Sequence, residues 1–324
     1  RSYQSLMSIP KKIEKHLTTT APVKVLIKRS KQTFIPGFSG FSLFEVWPRF
    51  VQQLRNTSLL ERASGISFNV VMAIPPTLLF LFTLIPYLPI STRFIEELYI
   101  LIRTVVPGHE NNGAIIAFLD DFLNQPRGEL LSFGLLLALF FSSNAMMGIL
   151  RSFDKNYEGF GDPTGLQKRS MALQLTLLSF VLFFVSVSLL IAQGAVLQWL
   201  GVNSYALRLL IVNVRWIILF LLVYFIISFI YRHGPPLKEK WPYLTPGSVF
   251  ATTLTFIATF LVSFWINNFA NYNKLYGSIS AIMILMILIY VNAVAILVGF
   301  ELNVTIASLR RLKALKQQTE QSAI

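Results

Sequence analysis

Arginines and carboxylates standing inside apolar runs are the residues of this chain best placed to do chemistry. A charge in hydrocarbon is costly and persists by pairing or by lining a polar path. Arg208 and Arg215 lie seven residues apart, two turns along one face of the apolar run 207–231. Arg208 is near its end and can snorkel to the interface. Arg215 is deeper, with Asn213 close by, and suits either an anionic group such as a lipid phosphate or a structural ion pair. Glu301 closes the run 276–302, which also carries Tyr290. Arg62 and Arg151, at the ends of other runs, are its candidate ion-pair partners.

Around Arg62, residues Glu61, Ser64, Gly65, Ser67 and Asn69 make the entry to the first run polar and small enough for another helix to approach closely. Pro75 and Pro76 remove two backbone donors and are expected to kink or break that run, exposing carbonyls to a cavity. Asn144, Asn213, Asn267, Asn268 and Asn292 add polar groups that would line the same path if they converge.

Other chemistry finds little support. His16, His109 and His233 fall in the tail, an outer loop and an inner loop, and cannot form one site. A two-metal hydrolase needs several carboxylates or histidines around ions about 4 Å apart; Asp154 and Glu158, four residues apart, are the only hint. There is no cysteine, which removes thiolate catalysis and cysteine-ligated metals. No phosphate-binding loop, nucleophile elbow or HExxH motif occurs. Neither catalytic residue, metal nor cofactor is expected.

The elements that must position these residues follow from composition. Of the 324 residues 54% are hydrophobic and only 13% charged, with a mean hydropathy of +0.60; soluble domains carry about a quarter charged residues. Six apolar runs, 67–90, 130–150, 171–199, 207–231, 247–268 and 276–302, are each long enough to cross a bilayer core of about 30 Å. The expected fold is all-α, a polytopic helical bundle with six transmembrane helices. An amphipathic helix over 42–55, with Leu43, Trp47, Phe50, Val51 and Leu54 on one face, lies in the membrane interface or packs on the mouth of the bundle. The outer loop 91–129 reads as two short amphipathic helices around a turn at 107–113. Residues 1–41 form a basic tail, 42–308 the membrane domain and 309–324 a second tail.

The net charge of +13 is read as topology. Eleven Lys/Arg precede the first run and four follow Asn303. The 91–129 loop has three, against six acidic residues, whereas the 151–170 and 232–246 loops carry four and three. The bias alternates with each crossing and puts both termini in the cytoplasm. The basic tail can lie on anionic lipid headgroups; it lacks the interleaved aromatics of a nucleic-acid platform, and no nucleic acid is expected as a partner. Residues 1–40 also lack the apolar core of a signal peptide.

Several segments together resemble the YihY/BrkB family of bacterial inner-membrane proteins. They are Glu61 to Phe68, Leu150 to Tyr157, Tyr231 to Trp241, Thr245-Pro246-Gly247-Ser248, Leu275-Tyr276-Gly277-Ser278 and Gly299-Phe300-Glu301-Leu302-Asn303. The resemblance covers roughly residues 40–305. It implies a six-span, multi-pass protein of the cell inner membrane linked to envelope integrity. For relatives it implies a proposed link to lipid transport and an old ribonuclease BN label. Phe300 stands where relatives often have Ala, a departure that weighs against close helix packing there. The expected function is a transporter or flippase-like protein for a lipid or other amphiphile. The alternatives are a scaffold for envelope-assembly partners and a membrane-bound ribonuclease; self-association is open.

Overall fold

The computed structural model describes residues 40–84, 128–153, 163–199, 205–237, 240–269 and 279–321, together with Gly37 and Gly161. For 186–199, 205–215, 267–269 and residue 281 it describes the helical backbone alone. Among these residues the regular elements are seven α-helices. They are α1 (Leu43–Asn56), α2 (Leu59–Leu84), α3 (Gly128–Phe153), α4 (Gly165–Trp199), α5 (Tyr205–His233), α6 (Pro246–Phe269) and α7 (Ile279–Gln321). Helices α2 to α7 are each long and apolar enough to cross a membrane. The outer-loop helices expected over 91–129, and nearly all of the basic tail, lie outside the described residues.

Local capping sets where three of these helices begin. Ahead of α1, the Glu45 carboxylate accepts the backbone N–H of Ser42 at 2.9 Å and its hydroxyl at 3.1 Å. Ahead of α4, Thr164 donates its N–H to Gln167 Oε1 at 3.0 Å and its Oγ1 accepts the N–H of Gln167. Ahead of α6, Thr245 and Ser248 exchange N–H bonds to each other's hydroxyls at 3.1 and 3.2 Å, and Pro246 fills the first helical position, where no N–H is needed. The box at Thr164 starts α4 six residues before the expected position 171. Lys168 and Arg169, read as loop charges, are therefore helical.

The six long helices form a closed ring in chain order: each packs on the next, and α7 returns to α2. Helix α1 lies outside the ring, against α7. One end of the ring, here called the base, is where α2, α4 and α6 begin and α3 and α5 finish. Helix α7 passes through the base and continues beyond it. The main core sits there: Ala63 and Ile66 of α2, Met146 and Leu150 of α3, Leu175 of α4, Ile227 of α5, Ala251 of α6 and Leu297 of α7 belong to one buried cluster.

Packing falls away toward the opposite end, the rim. One face of α3, read from the base in steps of three and four, carries Phe153, Leu150, Met146, Ser143, Leu139, Leu136 and Ser132. The first four are buried, Leu139 is half-buried, and Leu136 is 66% exposed with Ser132 exposed beyond it. The matching face of α7 runs from buried Val304, Phe300, Leu297 and Ala293 through half-buried Tyr290 to exposed Met286 and Ile279. On these two faces packing is tight at the base and gives way to exposed apolar side chains toward the rim.

Three expectations change. Pro75 and Pro76 do not break α2, which is helical to Leu84. The carbonyls freed by two missing donors are tolerated because α2 is held along its length by α3: Gly134 admits the Phe80 backbone, and Gly148 lies against Asn69. In α1 the buried residues are Val46 and Phe50, packed on Leu302, Ile306 and Leu309 of α7. Trp47 is exposed. Phe300 does not spoil close packing, because the contact is made one residue earlier. A Cβ added at Gly299 would lie 2.5 Å from the Ala251 Cβ and from the Gly247 carbonyl oxygen, so α6 and α7 cross backbone to backbone.

This crossing gives a test. Gly299→Leu should destabilise the protein by more than about 3 kcal/mol, beyond the usual range for overpacking, and lower its thermal midpoint in detergent. Gly65→Ala, whose Cβ meets nothing within 4 Å, should leave that midpoint unchanged or raised.

Candidate functional site

Glu301 lies between the core residues Phe300 and Val304 of α7 and has no exposed surface. Its Oε1 is 2.5 Å from Nη1 of Arg62 on α2, and its Oε2 accepts Gln53 Nε2 of α1 at 3.0 Å. Arg62 also donates through Nη2 to the backbone carbonyl of Ser152, in the last turn of α3. The Arg62 side chain is only 9% exposed, and its Nε is buried without a hydrogen-bond partner. One carboxylate and one guanidinium thus tie α7, α2, α1 and α3 together. Arg151, the other candidate partner, is exposed.

Beside this cluster stands a second polar junction. Asn303 Oδ1 accepts the N–H of Gly247 at 2.9 Å, and its Nδ2 donates to Thr245 Oγ1 at 2.9 Å. It thereby satisfies a donor that the first turn of α6 leaves open. Phe300 turns away from α6 into an aromatic group, stacked on Phe153 with centroids 4.0 Å apart and near Tyr231 and Trp241. The Tyr231 hydroxyl donates to the Ile296 carbonyl. Chemically these contacts bind helices to one another. They offer no nucleophile beside a base, and no group of three or more metal-capable side chains occurs among the described residues.

The intramembrane asparagines with described side chains, Asn69, Asn144 and Asn292, do not converge. Asn69 donates to the Gly65 carbonyl of its own helix at 2.7 Å. Asn144 accepts Nη1 of Arg169 at 2.5 Å between α3 and α4. Asn292 bonds Leu288 of its own helix and, weakly, Thr259 of α6. Each serves a different helix pair, and Pro75 and Pro76 face outward or are half-buried on α2. The side chains of Asn213, Arg215, Asn267 and Asn268, and residues Asp154, Glu158, His16 and His109, lie outside the described residues.

Gln53, Asn303 and Arg169 complete these junctions, and sequence reasoning passed them over. The Thr164-x-x-Gln167 spacing would have moved Arg169 from loop to helix. Asn303 carried a signal only in its place beside Glu301. For Gln53 there was none, because its partner is 248 residues away.

The junction predicts an asymmetric mutational response. Arg62→Leu strands a buried carboxylate and should cost about 3–5 kcal/mol, whereas Arg62→Leu with Glu301→Leu removes both charges and should recover much of that. Arg151→Gln should be neutral. Thermal midpoints of the three variants in one detergent check the order.

Comparison with known proteins agrees with this architecture. The family model described as Virulence factor BrkB matches residues 50–324. Among curated proteins, the chain is 29% identical over 257 residues to the "Putative ribonuclease-like protein YfkH" of Bacillus subtilis, covering 78% of this chain and 91% of that one. It is 21% identical over 276 residues to the "UPF0761 membrane protein Smlt0865" of Stenotrophomonas maltophilia, and 22% to a UPF0761 membrane protein of Xanthomonas campestris. Those two alignments cover 82% of this chain but 60% of each relative's length. No solved structure matches. Of the segments that carried the resemblance, the described parts of 61–68, 150–157, 231–241, 245–248 and 299–303 meet at the base, whereas 275–278 lies outside the described residues. This multi-pass helical membrane protein belongs to the BrkB virulence-factor family.

Proposed function

We propose that this protein moves an amphiphile, a lipid in the first instance, between the leaflets of the bacterial inner membrane. The supporting observation is that one face of α3 and one face of α7 pass from tight packing at the base to exposed apolar side chains toward the rim. The face that is core in the lower half of α3 and α7 presents Leu136, Met286 and Ile279 in the upper half. Such an apolar surface suits acyl chains better than ions.

Charge supports an orientation with the base in the cytoplasm. Arg49, Arg55, Arg62, Arg151, Arg169 and Arg232 lie at or near it, and Arg310, Arg311, Lys313 and Lys316 follow on α7, as the positive-inside rule requires. The buried Arg62–Glu301–Gln53 junction then seals the cytoplasmic mouth while the rim faces outward. Arg215 remains a proposed path residue on the rim-ward half of α5.

A scaffold is the second reading, favoured by α7 itself. Its last turns, from Arg310 to Gln321, are exposed on nearly every side and present four cations that an assembly partner could hold. We read the chain as no enzyme because its sequence carries no nuclease motif, and the ribonuclease-like name is that of a relative.

Reconstitution distinguishes the two. Vesicles containing the purified chain and a fluorescent phospholipid should expose inner-leaflet label to an impermeant quencher several-fold faster than protein-free vesicles. Leu136→Glu, placed in the open face, should slow that exchange without changing the amount of protein inserted. Exchange no faster than in empty vesicles would remove the transport reading and leave the scaffold.

A further inference from the structure

Arg62, Arg169 and Arg232 near the base each engage side-chain or backbone partners, and they differ in how their charge is met. Arg62 has Glu301. Arg232, at the end of α5, donates to the Trp241 carbonyl at 2.7 Å and lies over the Tyr243 ring at 4.5 Å. Arg169 has neither carboxylate nor backbone carbonyl among its described contacts. Its Nη1 reaches the Asn144 side chain at 2.5 Å, and its guanidinium lies 5.2 Å from the centroid of the Phe140 ring.

The placement of those two contacts is unusual. Arg169 is the fifth residue of α4, about 6 Å from its start by helical rise. Asn144 and Phe140 are nine and thirteen residues from the base end of α3, about 13 and 19 Å along that helix. Side chains on α4 lean toward its N-terminus, and so toward the base, where an arginine would ordinarily snorkel to water. Arg169 instead engages groups that lie toward the middle of the span. A guanidinium there, with one amide oxygen and one ring for company, retains donors and a full positive charge for an anion.

What surrounds it defines the anion. Asn144 and Phe140 lie beside the buried stripe of α3 on its α4 side, where Asn144 is half-buried and Phe140 is exposed, so the pair sits at the α3–α4 contact. Rim-ward of it, Phe140 and Phe133 on α3 and Leu173 and Leu177 on α4 are exposed. A cation followed toward the mid-plane by an apolar track is the complement of an anionic headgroup followed by acyl chains. A fixed guanidinium fork matches phosphate oxygens in both charge and geometry.

We propose that the α3–α4 groove is a binding site for an anionic phospholipid, with Arg169 holding the phosphate, Asn144 orienting Arg169, and Phe133, Phe140, Leu173 and Leu177 receiving an acyl chain. The site draws the headgroup below the membrane surface, at the level where the inward stripe of α3 passes from buried Ser143 to half-buried Leu139. It supplies a substrate class for the proposed transport and rests on that reading for its purpose, although its test measures binding alone.

The test uses the full chain in bilayer nanodiscs doped with spin-labelled phosphatidylglycerol or phosphatidylcholine, and reads the motionally restricted fraction of each label. The wild type should prefer phosphatidylglycerol. Arg169→Gln should reduce that preference about tenfold or to parity, the weight of one charge-assisted hydrogen bond. Arg169→Lys should retain part of it, and Arg232→Gln all of it. Asn144→Ala, which keeps the charge, should weaken it and serves if Arg169→Gln does not fold. An unchanged preference in Arg169→Gln or, failing that variant, in Asn144→Ala would overturn the proposal. So would an equal loss in Arg232→Gln, which would mean a diffuse cationic surface, or displacement of the label by excess inorganic phosphate, which would mean a small-anion site. A chain that prefers phosphatidylglycerol at Arg169 yet exchanges no lipid between leaflets keeps this site and loses the transport reading.

Discussion

A carboxylate with no exposed surface is the constraint on which this fold turns. Glu301 is retained in the interior only while Arg62 neutralises it and Gln53 fills its second oxygen. Those partners come from α2 and α1, and Arg62 also claims the end of α3. Because the desolvation cost of each ion is several kcal/mol, any arrangement of the helices that separates them is strongly disfavoured. The ion pair specifies which helix ends meet more than it adds to stability. Apolar side chains in a membrane cannot do this alone, since lipid is as good a solvent for them as the neighbouring helix.

The second device at the base is steric. Gly247 and Gly299 bring α6 and α7 to backbone contact, and Asn303 uses that proximity to cap α6 through Gly247 and Thr245. The Asn303 cap on α6, the glycine crossing and the ion pair are all made by five residues of α7, from Gly299 to Asn303. The aromatic stack of Phe300 on Phe153 fills the space between them. The base is thus a dense knot of specific contacts, and the upper halves of the same helices are apolar surfaces with few of them.

The division between what could and could not be read from the chain follows this difference. Six membrane helices were legible because their signal is a sum over twenty or more residues, and no local detail can cancel it. Helix starts at Thr164 and Thr245 were legible in principle, since a capping box is a four-residue pattern. The site was harder. Glu301 and Arg62 could be named from cost alone, because a charge in an apolar run needs a partner; choosing Arg62 over Arg151 required the rotation of α3, which turns Arg151 outward. Asn69, Asn144 and Asn292 bond to different partners, which depth along a sequence could not reveal without azimuth. Pro75 and Pro76 looked like a break because the packing of α3 on α2 is invisible to local propensity.

Helix α7 runs 43 residues without interruption, about 64 Å by helical rise. Its tight contacts are gathered near the middle, at Gly299 to Asn303, with about 30 Å of helix on either side. Mechanically it is a lever on a fulcrum. A tilt of about 10° at Glu301 would carry Ile279, in the wall of the open rim, and Gln321, beyond the base, about 5 Å in opposite directions. On the proposed transport reading, a grip on the exposed far end of α7 would bear on its rim-ward half through one continuous helix.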